Sequence, residues 1–397
     1  MAPPNPPNSS NRILALDVFR GWTVAFMIIV NTPGNGDRSW SPLQHARWHG
    51  FTPTDLVFPS FLLIIGVSAW FSLKKFQHAW SGAALGKIWR RTAVLFLIGM
   101  LMWYMPGFIV SVFKGNTGEF VSDLWKNVRV LGVLGRLALC YGIGSTLALR
   151  LSRRGLIGFS AFALLSYWAL MRFFGTGEDP YSLQTNAALR FDLWLLGPSH
   201  LYHGESVGGV PYAFDPEGVL STLPALVTFL IGYLAGELLG RTPDRRSALN
   251  KLFPAALALI AGGLVWDYCL GFPINKKLWT SSYALFVGGL SLSLLCLAIW
   301  LIDVKGKAGG LRFFNIFGMN PLVAYITSEM MVVVLQGFSL PGNGGKEEPG
   351  LDWLYHHTTA AAFGDNGLGS FLFSAAYMLC CWTVSWLFFR RGWVVKA

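Results

Sequence analysis

Apolar residues arrive along this chain in long uninterrupted runs, and polar residues gather between them. A helix needs roughly 20 mostly apolar residues to cross a bilayer. Such runs recur at 13–31, 53–73, 92–112, 129–149, 155–172, 219–239, 253–271, 280–302, 313–335 and 367–389. The pattern predicts an all-α integral membrane protein with about ten transmembrane helices. Residues 1–12, rich in Pro, Asn and Ser, are expected to be a disordered tail, and 13–397 a single transmembrane domain. The tail has neither the basic start nor the small-residue cleavage site of a signal peptide, so the first run is expected to remain a membrane helix.

Composition sharpens this picture. Of 397 residues, 53% are hydrophobic and only 13% charged, against about 25% charged in soluble domains. A net charge of +11 raises the question of nucleic acid, but the placement of the charge argues against it. Lys74, Lys75, Lys87, Arg90 and Arg91 share one loop, and Arg150, Arg153 and Arg154 another. Arg241, Arg245, Arg246 and Lys251 form a third group, Lys305, Lys307 and Arg312 a fourth, and Arg390, Arg391 and Lys396 the C-terminus. Basic groups therefore occupy every second loop, the positive-inside pattern. Both termini are expected in the cytoplasm, with no nucleic-acid partner. The outward loops are then 32–52, 113–128, 173–218, 272–279 and 336–366. The long ones, 173–218 and 336–366, carry Gly, aromatic and His residues and are expected to form ordered periplasmic caps. The shortest carries Asn275, Lys276 and Lys277 against the charge trend, either for a local purpose or as solvated charge. No internal repeat is visible.

Candidate chemistry concentrates on the outward side. His45, His49, His200, His203, His356 and His357 all fall in outward loops, while His78 falls in a basic loop where a surface role is expected. Histidine titrates near neutrality and suits general-base work. His45 and His49 have a spacing of four, yet Ala46 stands where a zincin motif has Glu and no third ligand is apparent, so no metal is expected. A structural hydrogen-bonding role for either histidine stays open. Cys140, Cys269, Cys296, Cys380 and Cys381 lie inside apolar runs and read as small core residues. Asp17 and Arg20 begin the first run, as a cap and a snorkelling cation. Asp55 follows Pro53 in a first helical turn, where a carboxylate suits the helix dipole. Arg136 and Glu329 lie deep in apolar runs. A charge there costs about 2.5–3.5 kcal/mol on insertion scales, so each should pair or line a cavity. Pro321, after Asn320, should kink its span.

Together these motifs resemble a known family. The residues are Leu16-Asp17-Val18-Phe19-Arg20-Gly21, Val30-Asn31, His45-Ala46-Arg47-Trp48-His49-Gly50 and Thr54-Asp55-Leu56-Val57-Phe58-Pro59. They continue with Arg129-Val130-Leu131-Gly132-Val133-Leu134-Gly135-Arg136, Gly197-Pro198-Ser199-His200-Leu201-Tyr202, Phe214-Asp215-Pro216-Glu217-Gly218, Pro273-Ile274-Asn275-Lys276-Lys277-Leu278-Trp279 and Gly318-Met319-Asn320-Pro321. The chain resembles the transmembrane acyltransferases related to heparan-α-glucosaminide N-acetyltransferase, and within them the short bacterial, NagX-like members linked to N-acetylglucosamine use. The resemblance implies transfer of acetyl from cytoplasmic acetyl-CoA to the amine of a terminal glucosamine across the membrane. It carries the functional histidine onto His45 and the span-closing asparagine onto Asn31. The chain departs from the animal enzyme in having Gly135 where that enzyme has Gln before the Arg, and in having no lumenal domain before the first span, which leads us to expect a small-sugar acceptor.

Amide formation from a thioester requires a deprotonated amine, a stabilised oxyanion and exclusion of water. On this reading His45 is the general base, Asn31 the oxyanion donor and Asp55 the group orienting His45. Arg20, Arg90, Arg91, Arg136, Arg153, Arg245 and Arg312 are candidates for the acetyl-CoA side, and Asp192, His200, Tyr202, Asn275 and Lys276 for the sugar. An acetyl-imidazole on His45 is an alternative to direct transfer. The expected setting is the bacterial inner membrane, with the lipid bilayer and a small amino sugar as partners and a homodimer as the oligomer to test. The rival classes are a secondary transporter for N-acetylglucosamine-type sugars and an O-acetyltransferase of cell-surface glycans.

Overall fold

A computed structural model of the chain describes residues 13–307, 309–342 and 346–395; the expected tail 1–12 and Lys396 lie outside the described residues. Its helices are α1 (Leu14–Asn31), α2 (Val57–Leu73), α3 (Gly82–Lys114), α4 (Thr117–Asn127), α5 (Val133–Arg150), α6 (Arg153–Phe174), α7 (Ala187–Leu196), α8 (Thr222–Arg241), α9 (Arg245–Leu270), α10 (Ser281–Ile299), α11 (Arg312–Met319), α12 (Pro321–Gln336), α13 (Gly350–Tyr355), α14 (Ala361–Phe363) and α15 (Gly367–Arg390). Two antiparallel hairpins accompany them: β1 (Glu205–Val207) with β2 (Val210–Tyr212), and β3 (Ser339–Pro341) with β4 (Glu347–Pro349).

Among the described residues, 8 helices are long and apolar enough to cross a membrane, and 9 if α11 and α12 count as one bent span. This is a multi-pass membrane protein. The expected tenth span, 129–149, corresponds to α5, which is helical but falls outside that set. Arg136 and Arg150 bring charge into it, and Gly135, Gly142 and Gly144 dilute its apolar character. The kink expected at Pro321 is a 72° break between α11 and α12. Asn320 occupies it fully buried, donating its amide to the Trp393 carbonyl at 3.0 Å and accepting from the Val395 N–H at 3.0 Å. The break thus finds partners within the chain, as a bilayer interior requires.

Several helices start earlier than hydropathy placed them. α3 begins at Gly82, with the Ser81 hydroxyl accepting from the Ala84 N–H, so Lys87, Arg90 and Arg91 ride on its first turns and not in a loop. α9 begins at Arg245, capped by Asp244, which accepts from the Arg246 and Ser247 N–H groups. Good caps and helix-forming residues extend a helix beyond its apolar run. The loop expected at 113–128 is likewise mostly α4. The described residues of the two long connections form regular elements: 173–218 holds α7 and the β1–β2 hairpin, and 336–366 holds β3, β4, α13 and α14.

The chain divides into two compact units, one comprising residues up to His45, Thr52–Val57 and Leu294 onward, the other Ala46–Phe51 and Phe58–Ser293. In the first, α1 packs on α11, α12 and α15. The α1–α11 crossing is almost backbone to backbone. A Cβ on Gly21 would sit 1.7 Å from the Phe314 carbonyl oxygen, and one on Gly318 only 1.8 Å from that of Asp17. In the second unit α3 packs on α5, and α8 packs on α5, α6 and α9. A reciprocal pair, Gly66 against the Phe229 carbonyl and Gly232 against that of Leu63, both at 2.1 Å from an added Cβ, brings α2 onto α8. Small residues are how membrane helices approach closely enough for dispersion and polar contacts to hold them.

Cysteine placement departs from expectation. Cys140, Cys296 and Cys381 are buried, but Cys269 and Cys380 lie on exposed helix faces. An apolar run in a membrane protein has a face for lipid as well as one for the core, so apolarity alone does not imply internal packing. His78 departs too. It is half-buried, stacks on Trp70 with ring centroids 4.7 Å apart, and its Nδ1 lies 3.1 Å from the Tyr233 hydroxyl.

The close crossings give a direct test. Gly318→Val should destabilise the protein by about 3 kcal/mol or more, the upper end of overpacking costs. Gly158→Ala, where an added Cβ meets nothing within 4 Å, should be neutral or stabilising. Thermal unfolding in detergent distinguishes the two, and equal melting temperatures would contradict the packing described.

Candidate functional site

The segment around His45 is pinned to the start of α2 by three side chains. Pro53–Leu56 forms a 3-10 turn entering that helix, and Asp55 closes a capping box in which its Oδ2 accepts from the Thr52 N–H at 3.0 Å. The Thr52 hydroxyl donates to the Gln44 carbonyl at 2.6 Å, and the Thr54 hydroxyl to the Pro42 carbonyl at 3.0 Å. The third link is chemical as well as structural: the His45 Nδ1 stands 2.7 Å from Asp55 Oδ1. Asp55 is completely buried while the His45 side chain is 46% exposed. Nδ1–H donating to a carboxylate places the basic lone pair of the neutral ring on Nε2. A ring held in this way has the orientation a general base needs.

Asn31 is the last residue of α1 and lines a cavity of about 440 Å³ in the same unit. Asn35, Gln336, Asp352 and His356 add polar groups to its wall. His45 is not in the lining, but its neighbour is tied to it: the Gln44 amide donates to the carbonyls of Gly36, which lines the cavity, and Ser39, both at 2.8 Å. The wall is braced from behind. The Tyr355 hydroxyl donates to Asp365 Oδ1 at 2.7 Å and the Asn35 amide to the same oxygen at 3.0 Å. These donors, Tyr355 first, hold the Asp365 carboxyl below its usual pKa.

Several of the other expected site residues have structural partners. Arg20 pairs with Asp17 at 2.9 Å and donates to the Gly318 carbonyl at 3.2 Å. Arg91 lies 4.7 Å over the Tyr141 ring, and Arg245 donates to the Leu239 carbonyl at 2.9 Å. Arg90, Arg153 and Arg312 are exposed near helix starts. Arg136 is fully buried, 5.3 Å from the Trp279 ring, donating to the Gly218 carbonyl at 3.0 Å and to the Ser221 hydroxyl. Its Nε and Nη1 have no partner among the described residues.

Of the sugar candidates, none lines the cavity at Asn31. His200 sets Nδ1 2.8 Å from the Val128 carbonyl, and Tyr202 covers Arg129, whose guanidinium lies 4.6 Å from both the Tyr202 and Trp103 rings. Arg129 also grips Asp215 through two hydrogen bonds, at 2.8 and 2.7 Å, and Glu217 at 2.8 Å. This cluster ties the 198–218 connection to the chain before α5. Asn275 is fully buried, its Oδ1 accepting from the Leu278 N–H at 2.9 Å and its amide 3.3 Å from His49 Nδ1. Burial holds His49 below its ordinary pKa against the opposing charges of Asp179 and Asp267, which favours the neutral ring that accepts from Asn275. Lys276 is half-buried.

Asp192 is 3% exposed and caps the turn into α8, its Oδ1 accepting from the N–H groups of Val219 at 3.0 Å and Leu220 at 3.2 Å. Burial pushes its pKa up to about 7 despite those donors and Arg136, with Asp215 adding to the rise.

No group of three His, Cys, Asp or Glu side chains is arranged for a metal among the described residues. Sequence reasoning missed Asn35, Gln336 and Asp352. Their only signal was residue type, since no spacing connects positions near 35, 336 and 352.

A multi-pass α-helical membrane protein with a carboxylate-oriented histidine on a loop, tied to a polar cavity at the end of its first helix, is the class defined here. The chain belongs to the heparan-alpha-glucosaminide N-acetyltransferase, catalytic family, whose model matches residues 12–264. It is similar to the mouse heparan-alpha-glucosaminide N-acetyltransferase, 29% identical over 372 residues, covering 82% of this chain and 54% of that protein. The human protein of the same name is 28% identical over 365 residues, covering 80% and 53%. The chain thus spans about half the length of the curated relatives it matches.

The Asp192 environment predicts a pH dependence. A carboxyl whose folded pKa is raised binds its proton more tightly in the native state, so its stabilising contribution is full below the unfolded value and lost as pH rises through about 7. Thermal stability in detergent should therefore fall between about pH 4 and pH 8 through this group, and Asp192→Asn should flatten that part of the profile. An unchanged slope in the variant would refute the assignment.

Proposed function

We propose that this protein is a membrane-bound N-acetyltransferase that moves acetyl from cytoplasmic acetyl-CoA to the amine of glucosamine or a related amino sugar on the periplasmic side of a bacterial inner membrane. The observation that carries the reading is the His45–Asp55 pair at 2.7 Å, in a chain of this family. His45 takes the proton from the attacking amine while the new C–N bond forms at the thioester carbonyl. Asn31 donates its amide N–H to the oxyanion of the tetrahedral intermediate. When the C–S bond breaks, His45 returns its proton to the leaving sulfur, so amine and acetyl-CoA become amide and free thiol. One base and one oxyanion donor suffice, which favours direct transfer over an acetyl-His45 intermediate.

The phosphates of acetyl-CoA need cations facing the cytoplasm. Lys75 and Lys87 both lie over the Phe76 ring, at 4.6 and 5.8 Å, and Arg91 follows one turn after Lys87 on α3. Such a gathering of positive charge fits a polyphosphate by charge and donor type. Arg90 and Arg153 are exposed and extend the same chemistry.

A sugar transporter is the second reading, favoured by the broken α11–α12 helix, since discontinuous helices frame transport sites. The two separate on thiol release from acetyl-CoA by purified protein, with and without glucosamine. Glucosamine-dependent release is expected, falling about 10²–10⁴-fold in His45→Ala. Absence of release with any amino sugar, together with absence of CoA binding, would overturn the enzyme reading. Release onto hydroxyl sugars alone would make the protein an O-acetyltransferase.

A further inference from the structure

Apart from Asn31, the cavity at the end of α1 has a wall whose chemistry the acetyl-transfer steps do not use. Asn31 and Asn35 reach it from the chain leaving α1, Gln336 is the last residue of α12, and Asp352 lies in α13. His356 opens a π-helical turn, His356–Ala360, and its Nδ1 stands 3.0 Å from Glu348 Oε2. Single π turns within α-helical segments recur at functional sites. The volume, about 440 Å³, lies toward the small end of ligand pockets, which run about 300–1,000 Å³.

The donor set is specific. The Asn31 and Gln336 amides each offer both a donor and an acceptor, the combination that vicinal hydroxyls demand, while Asn35 already donates to Asp365 and accepts from the Asp37 N–H. Asp352 adds an acceptor-only carboxylate, exposed to the cavity and without a hydrogen bond or ion pair among the described residues. The imidazole of His356 is oriented by Glu348 in the way that Asp55 orients His45. The wall holding these groups is rigid, because Asn35 and Tyr355 share Asp365 and because Gly34 packs so closely that a Cβ there would meet the Tyr355 ring at 2.2 Å. A primary amine with a pKa of about 7.7–8.0, as α-amino groups have, arrives at neutral pH mostly as ammonium. A carboxylate in a polar, sugar-sized cavity distinguishes that cation from its acetylated, neutral product.

We propose that this cavity is the acceptor subsite for a cationic amino monosaccharide, with Asp352 binding the ammonium group, the amide of Gln336 binding ring hydroxyls, and the Glu348-held His356 taking up a further hydroxyl. The assignment deepens the acetyltransferase reading and rests on it for the fate of the amine. It also explains product release: once acetylated, the sugar loses the charge that Asp352 binds. The sugar is thereby placed in the unit that carries His45 and Asn31.

The test is equilibrium binding to the purified full chain in detergent, by intrinsic tryptophan fluorescence, of glucosamine against N-acetylglucosamine at neutral pH. Wild type should prefer glucosamine by about tenfold or more, as charge-assisted hydrogen bonds do. Asp352→Asn should abolish the preference, Asp352→Glu should retain it, and Gln336→Leu should weaken both sugars alike. In turnover, Asp352→Asn should raise KM for glucosamine and leave KM for acetyl-CoA and kcat near wild type. An unchanged preference in Asp352→Asn, or unchanged binding of both sugars in Gln336→Leu, would overturn the proposal. If the Asp352-dependent preference is found without thiol release, the subsite stands and the acetyltransferase reading falls. If thiol release occurs with a KM for glucosamine indifferent to Asp352→Asn, the activity stands and the subsite falls.

Discussion

A bilayer supplies no hydrogen-bond partners, so every polar group carried into or beside it must be satisfied by the chain itself. That constraint organises this structure. Asp55 shows it most economically: one oxygen completes the capping box that starts α2, and the other holds His45. A single buried carboxylate thus begins a helix and orients an imidazole. Removing it would leave a helix N–H and an imidazole unsupported together, which links the stability of this region to its chemistry.

The same rule explains the behaviour of the remaining polar residues. Asn320 fills the break at Pro321 with two hydrogen bonds to the chain after α15. Arg129 is enclosed by two carboxylates and two aromatic rings, so the charge that would be costly alone becomes a fastening for the 198–218 connection. Asp192 caps a turn, and Asn275 knots the loop before α10. Polar residues near membrane helices are first of all solutions to backbone and charge satisfaction. Those that remain directed at a cavity, as Asp352 and Asn31 do, are the ones with capacity left for a ligand.

Glycine plays the complementary part. Helices in lipid gain little from burying apolar surface against one another, so close backbone approach must supply the attraction. The α1–α11 and α2–α8 crossings use glycine pairs to achieve it, and the first of these fixes the helix that ends at Asn31. Positioning at the site therefore begins with packing some distance along the same helix.

What the sequence determined alone was whatever is local. Long apolar runs specify membrane helices because hydropathy over about 20 residues is a property of one segment. The break after Asn320 was legible because Pro321 removes a donor and clashes with the preceding turn. His45, Asn31 and Asp55 were legible as residue types in one short stretch. Helix starts were less so, because caps such as Ser81 and Asp244 carry a helix past its apolar run. Tertiary structure alone decided which polar residues meet. Asn35 and Asp365 share a hydrogen bond across 330 positions, and Arg129 meets Asp215 across 86. Neither pairing follows from composition, period or spacing, because each depends on where separate helices cross. The cavity formed by the ends of α1, α12 and α13 is the sum of such crossings, and so only the fold could reveal it.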